Sequence, residues 1–435
     1  MNVCKAIPMF FITCIAVSSY AADAFKQIQK TDLEKSSSSG DAVLDNYIQK
    51  ALKNNAGLRA DFDSWQAGFE SIPHARGIDD PTIRFTHFIE EVQTRTGPQN
   101  NKLEISQKIP RAKVREHAGM MAQSQADQLW WKTNETKHQI IYQVKQLYAD
   151  YAYLAQHIRI VKENLGLLQN LEPVVQARLR SGGNQADLLK LQVEIAKLEN
   201  DLNSLEGLRP ALNRQLRTVM NDSETKLLPW PKGIEITPKG IQLGDLLQAM
   251  KANSPVLKQR TALVNKSTHH TTHSRLLKRP DITVGLTYIE TGSAETFPKP
   301  SGSSTDPFGL TVGISIPLFN KKHDAKVRQA HYVESSMRHR LKEEQLTLSA
   351  ELEVEAYHLQ DAVQNIQLYK ETLIPRAQQA MDVMQVSYQT GTSSLLEIIE
   401  SERDVLLFEQ SYWRAQRDYV QHLAKIEMIC GGVVQ

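Results

Sequence analysis

Cysteine is scarce: of three, Cys4 and Cys14 lie near the N-terminus and Cys430 near the C-terminus. If the N-terminus is a leader, the mature chain has one thiol and no internal disulfide. Long apolar runs are missing after the N-terminus, so no transmembrane helix is expected there. Charge of one sign is missing as well. Lys and Arg number 51 against 49 Asp and Glu, a net +2, which gives no electrostatic case for nucleic acid. Also absent are Gly-x-Ser-x-Gly, a glycine-rich phosphate loop and His-Glu-x-x-His. With no candidate nucleophile and base, neither an enzyme nor a cofactor is expected.

What is present begins with an export signal. Lys5 supplies the positive region, Ile7 to Val17 is mostly apolar, and Ser19-Tyr20-Ala21 or Ala22-Asp23-Ala24 offers a small-residue cleavage site. Cys14 follows Phe11-Ile12-Thr13, not the small residues of a lipoprotein signal. A signal peptide over 1–21 and export without a lipid anchor are expected. Residues 22–40, with Ser36 to Ser39 consecutive, read as a disordered lead-in.

A chain of 435 residues ordinarily holds two or three domains, but here the dominant pattern is helical. Leu352, Leu359, Ile366, Leu373 and Ala380 fall seven residues apart, and Ile398, Val405, Tyr412, Tyr419 and Ile426 do the same after Thr390-Gly391-Thr392-Ser393. Sustained heptads mark helices that need a partner along their length, and the Gly-centred break marks a turn between them. The half from Lys321 to Gln389 would be roughly 100 Å long at about 1.5 Å per residue. An earlier stripe, Ile140, Val144, Leu147, Tyr151, Leu154, Ile158, Val161, Leu165 and Leu168, breaks at Ser181-Gly182-Gly183-Asn184 and resumes with Leu188, Leu191, Ile195, Leu198, Leu202 and Leu205. The chain holds two copies of one helical-hairpin unit.

Each copy also carries a helix and two short alternating segments. Helices are expected from about Asp41 to His74 and from about Leu243 to Leu277. After Pro81, Ile83, Phe85, His87 and Ile89 share one face, opposite Thr82, Arg84, Thr86, Phe88 and Glu90. Leu103, Ile105 and Ile109 alternate with polar residues up to Pro110. In the second copy Ile282, Val284, Leu286 and Tyr288 follow Pro280, and Leu310, Val312, Ile314 and Ile316 precede Pro317. Pro81 and Pro280 are 199 residues apart, as are Leu58 and Leu257, and Pro110 and Pro317 are 207 apart. Strands are therefore expected at about 82–90, 102–109, 281–290 and 308–316. Their apolar faces suit either a core, as in a hairpin packed on helices, or lipid. Strands of nine to eleven residues span a bilayer, and apolar-out, polar-in alternation marks a membrane barrel. Four strands cannot close one, so the lipid reading requires several chains to share a barrel.

This organisation resembles the TolC family of outer-membrane efflux channels over nearly all the mature chain. Asn253-Ser254-Pro255-Val256-Leu257 resembles the family's Asn-Pro-x-Leu, with Asn54-Asn55-Ala56-Gly57-Leu58 a degraded first copy. Ile316-Pro317-Leu318-Phe319 resembles the strand-ending motif before a long helix, and Leu373-Ile374-Pro375-Arg376-Ala377 through Tyr388-Gln389-Thr390-Gly391 the approach to the second tip. The resemblance implies a mainly α chain with a small membrane β-barrel, four strands per protomer in a homotrimer, whose helices form a periplasmic tunnel with short helices stacked end to end against the long ones. The repeats would span 41–220 and 243–430, with tips at 181–184 and 390–393 and an equatorial connector over 221–242. Implied partners are outer-membrane lipid, a periplasmic membrane-fusion adaptor and an inner-membrane pump of the RND type. Ala177-Arg178-Leu179-Arg180-Ser181-Gly182 and Asp187-Leu188-Leu189 look more like the heavy-metal (CzcC/CusC-like) branch.

The resemblance also assigns roles. Glu397 and Glu400, one turn apart on one helix face, match acidic residues that ring the constriction, with Asp187 the corresponding candidate in the first copy; read from the residues alone, they are solvated surface charges. Tyr388 matches a tyrosine whose hydroxyl holds the tip shut. The arginine expected after Gly391 is Ser393, which puts the family's salt-bridge latch in doubt. Gly182, Gly183 and Gly391 would admit the adaptor, and Pro110 and Pro317 turn strand into helix. His269 and His273 have the i, i+4 spacing that suits a metal, but no carboxylate or cysteine stands close in sequence to complete a site, and a polar helix end explains them better. A periplasmic coiled-coil adaptor is the alternative function, though it would carry one hairpin, not two. A metal-buffering protein built on the histidines is a third.

Overall fold

The structure, a computed structural model, describes residues 41–231 and 242–433. The expected signal peptide, the lead-in and the 232–241 part of the connector lie outside the described residues. The chain divides into two compact units. One comprises residues 41–62, 131–258 and 344–433, the other 63–130 and 259–343.

In chain order the elements are α1 (Ala42–Asn54), α2 (Ala56–Arg76), β1 (Thr82–Thr94), β2 (Gly97–Ile109), α3 (Ala112–Arg180), α4 (Gln185–Val219), α5 (Leu243–Asn253), α6 (Pro255–Leu276), β3 (Asp281–Thr291), β4 (Phe308–Ser315), α7 (Asn320–Leu368), α8 (Ile374–Thr390) and α9 (Leu395–Cys430). The duplication is thus complete: helix pair, strand pair and long hairpin, twice.

Two of the expected helices are interrupted. The one expected from Asp41 to His74 breaks at Asn55, whose Oδ1 accepts from the Leu58 amide at 2.9 Å and so caps α2. The one expected from Leu243 to Leu277 breaks at Ser254, and Pro255 takes the first position of α6, where its missing N–H costs nothing. Asn55 and Ser254 are 199 residues apart, the spacing of the repeat. A further departure lies between α7 and α8, where Tyr369–Leu373 form a π turn and the Ile374 amide donates to the Tyr369 carbonyl. Pro375 has no N–H and crowds the carbonyl four residues back, and the wider turn relieves both.

The first unit has two apolar layers. In one, Leu44, Ile48, Ala51 and Leu52 of α1 and Leu58 of α2 pack with Ile140, Val144, Tyr148 and Tyr151 of α3 and Leu216 of α4. Tyr151 stacks on Trp230 at 4.8 Å between centroids and donates to the Leu228 carbonyl at 2.8 Å. The Arg209 guanidinium lies 3.9 Å over the other aromatic of that stack. These contacts hold the connector on the first hairpin. In the second layer, Val161, Leu168 and Val175 of α3 and Leu191 and Leu198 of α4 meet Tyr388 of α8 and Leu395, Ile398 and Ile399 of α9. Most of the expected heptad positions are buried or half-buried, and Ala380 alone among them is exposed.

The second unit holds one antiparallel sheet in the order β1-β2-β3-β4. The strands begin or end beside the prolines: Pro81 before β1, Pro110 after β2, Pro280 before β3 and Pro317 shortly after β4. β1 and β2 run further than expected, to Thr94 and from Gly97, because a bulge after His87 carries β1 past its regular alternation. Helix packing in this unit is aromatic and close. Trp65 meets Trp130 at 4.9 Å, and a Cβ added at Gly68 would come within 2.7 Å of Leu129.

Candidate functional site

Register fixes which side chains share a face of the sheet. Ile83, Ile105, Leu286 and Leu310 lie in one row across all four strands, and Phe85, Leu103, Tyr288 and Phe308 in the next. Ile109, Ile282 and Ile314 form another row, with Gln107, Val284 and Val312 between them. The opposite face has Arg84, Glu104, Thr287 and Gly309 in one row and Thr82, Ser106, Gly285 and Thr311 in another. The apolar face is uncovered in the protomer: Phe85, Leu310, Val312 and Ile314 are each more than 60 % exposed. Such a patch marks a surface that another phase or molecule covers. It ends at a polar row, where His87 Nδ1 and Asn101 Oδ1 are 2.8 Å apart and Asn101 donates to Glu290. No β-strand pairs with the outer edge of β1 or of β4 among the described residues.

The hairpin tips lie in the first unit. Gly182 (φ 99°) and Gly391 (φ 84°) occupy the left-handed region that turns each hairpin. Gly183 is tight for another reason, since a Cβ there would sit 2.8 Å from the Arg178 carbonyl. Asn184 caps α4 by accepting from the Ala186 amide at 2.9 Å. Ser394 caps α9 in a capping box, with the Ser394 amide donating to Glu397 Oε2 at 2.7 Å and the Glu397 amide to Ser394 Oγ at 3.4 Å.

Glu397 therefore spends its carboxylate on the helix start, where the amide dipoles favour it. Glu400 is exposed on the next turn and Asp187 is half-buried in the first turn of α4. The tyrosine is held within the protomer by its ring. Tyr388 is 2 % exposed and its hydroxyl has no hydrogen-bond partner among the described residues. Its ring instead lies under the Arg178 guanidinium at 4.5 Å, and Arg178 Nη1 donates to the Tyr388 carbonyl at 3.4 Å. Ser393, where an arginine was expected, donates its hydroxyl to the Met384 carbonyl at 3.1 Å and finishes α8.

A second link between the hairpins escaped the sequence reading. Arg403 of α9 grips Glu194 of α4 in a two-pronged pair, Nε to Oε1 at 2.9 Å and Nη2 to Oε2 at 2.5 Å. That pairing holds the Glu194 carboxyl below its usual range. Next to it, Glu402 is buried, and desolvation with the neighbouring Glu194 charge pushes its carboxyl up to about 8. Only the register of α9 could have exposed this, because Glu402 stands on the stripe of Leu395.

The histidines fall in the second unit. His269 packs against His117 at 5.6 Å between ring centroids. Burial, then the neighbouring cations or imidazoles, lowers both His269 and His273. Among the described residues no group of three His, Cys, Asp or Glu side chains is placed to hold a metal ion.

Solved structures share this fold. CusC matches with a TM-score of 0.76 at 15% identity, over 90% of this chain and 92% of its own. The outer membrane protein VceC of Vibrio cholerae matches at 0.73 and 15%, over 91% and 98%. The MtrE outer membrane channel of Neisseria gonorrhoeae, in its open state, matches at 0.72 and 14%, over 89% of each chain. A comparison with curated protein sequences finds no match. The chain therefore shares the fold of these proteins. Residues 246–432 match the family model described as Outer membrane efflux protein.

Proposed function

We propose that three copies of this chain close a membrane barrel and a helical tunnel. Together they form a passive duct that carries small toxic molecules or metal cations from a pump-adaptor complex across the periplasm and outer membrane. The observation that carries this reading is the sheet. Four strands present one continuous uncovered apolar face, a polar or small opposite face and two unpaired edges. Lipid covers the first, water the second, and neighbouring copies the edges. A soluble adaptor has no use for such a face, and nothing favours that alternative. Energy comes from an inner-membrane pump of the RND type, reached through a periplasmic adaptor that docks at the tips around Gly182, Gly183 and Gly391.

Glu397, Glu400 and Asp187 form the acidic constriction at the closed end, with three copies of each facing the axis. Tyr388 contributes by packing under Arg178 more than through its hydroxyl. The heavy-metal branch rests on the run from Ala177 to Gly182 and on Asp187-Leu188-Leu189 alone, since CusC and VceC are equally identical to the chain in sequence, at 15%. His269 and His273 act as helix-end polar residues, not as a metal site.

Two measurements test the reading. Purified protein in planar bilayers should give stepwise cation-selective conductance that Glu397→Gln with Glu400→Gln makes less selective; absence of conductance from detergent-stable trimers would sink the duct. A strain lacking the gene should become hypersensitive to metals alone if the heavy-metal branch is right, and to dyes and antibiotics if it is not.

A further inference from the structure

The seam of α9 is unusual at every seventh position. Leu395, Glu402, Glu409, Gln416, Leu423 and Cys430 share one stripe, and apolar side chains are what such a stripe ordinarily carries. Here three consecutive layers are polar. Glu402 is 4 % exposed and Gln416 3 %, as buried as the Leu395 and Cys430 that flank the run. Glu402 Oε1 and Gln416 Oε1 have no hydrogen-bond partner among the described residues. Neighbours of Glu402 one turn away on the same face, Ile398, Ile399 and Val405, are all buried and apolar.

We propose that Glu402, backed by Glu409, makes the packing of α9 a proton-operated fastening: tight when the carboxyl is neutral, loosened when it ionises. A buried carboxylate with an unpaired oxygen is costly, whereas the neutral acid is tolerated in an apolar layer.

The surrounding charges give Glu402 little relief. From α4 the nearest is Glu194, which repels, and that residue is bonded to Lys197 at 3.2 Å. On its own helix Arg403 attracts, but both prongs of its guanidinium are taken by Glu194. Glu409 is raised mainly by burial; Arg159 of α3 opposes this, Glu163 of α3 adds to it, and Gln378 of α8 donates to it at 3.4 Å. Two acids on one stripe thus respond in the same direction.

The window follows from linkage. In the closed seam Glu402 is pushed up to about 8, against an ordinary 4.5 once hydrated. The seam is therefore firmest below the hydrated value. It weakens about tenfold per pH unit between the two values and changes no further above the upper one. The coupling from seam to tunnel opening rests on the duct reading; the seam's own response to protons does not.

The test uses the full chain in detergent. Amide hydrogen exchange, corrected for its intrinsic pH dependence, is followed in residues 395–410 at about pH 5 and about pH 7.5. Protection in the wild type should fall at least about tenfold across that range. Glu402→Gln and Glu402→Leu should each abolish most of the fall. Equal loss in wild type and both variants, or no loss in the wild type, overturns the fastening. In bilayers, conductance that rises over the same range in the wild type and not in Glu402→Gln extends the fastening to the gate. Conductance insensitive to pH despite a proton-dependent seam overturns that extension, and trimers that conduct at no pH count against the duct while leaving the exchange result to judge the seam.

Discussion

Tyr388 is buried beneath Arg178, and its hydroxyl meets no partner among the described residues of the protomer. Within the protomer the residue is held by packing, not by its hydroxyl. Tyr388→Phe should leave the unfolding midpoint in urea unchanged or raise stability by about 1 kcal/mol, because an unsatisfied buried hydroxyl is lost. Tyr388→Ala should cost about 3–5 kcal/mol through the cavity it leaves. Cys430 offers a second check. It is buried, its thiol donates toward the Leu246 carbonyl, and burial pushes it up to about 11. At neutral pH it should resist iodoacetamide in the folded protein and react fully in denaturant, read as a mass shift. Such roles were poorly legible in the sequence. Gly391 stood out as a turn glycine, whereas Tyr388 and Glu397 were singled out only through the family resemblance. The contacts of Arg178, Glu194 and Arg403 were not legible, because their pairings join helices whose relative placement no local pattern states.

At the scale of elements the sequence was far more open. Heptads named the buried faces of α3, α4, α7 and α9, and alternation named both faces of every strand. Prolines punctuated the strands as physics requires, since a residue without an N–H cannot continue a ladder. The misses share a cause. Asn55 and Ser254 break helices with short polar caps that periodicity does not register, and the π turn before Pro375 leaves the apolar stripe almost undisturbed. Pro255 was itself the available signal, because proline favours the first turn of a helix over its interior. The two strand faces yield a sharp comparison. Val312→Arg on the apolar face should destabilise folding into lipid vesicles by about 2–4 kcal/mol. Thr311→Arg, one residue away on the other face, should be tolerated within about 1 kcal/mol. Equal costs would mean that both faces see the same surroundings.

For the whole molecule the decisive quantity is copy number. Among the described residues no strand pairs with either sheet edge, and four strands fall short of the smallest closed membrane barrel. Light scattering in mild detergent should give a protein mass three times that of the chain, and charged substitutions along β4 at the edge should shift it toward monomer. Strand number alone implies only that several copies share a barrel; the count of three comes from the family resemblance.

The turn between β1 and β2 and the loop after β3 are stapled together. A Cβ at Gly97 would lie 1.8 Å from the Gly292 carbonyl oxygen, the Gly292 amide donates to the Pro98 carbonyl at 2.7 Å, and the Ser304 amide to the Thr96 carbonyl at 3.2 Å. Yet Phe297, in the middle of that loop, is 96 % exposed. For anyone wishing to insert an epitope tag, the two strand connections are not interchangeable. The short one is a rivet that admits no insertion, and the crown around Phe297 is the handle by which the protein can be grasped.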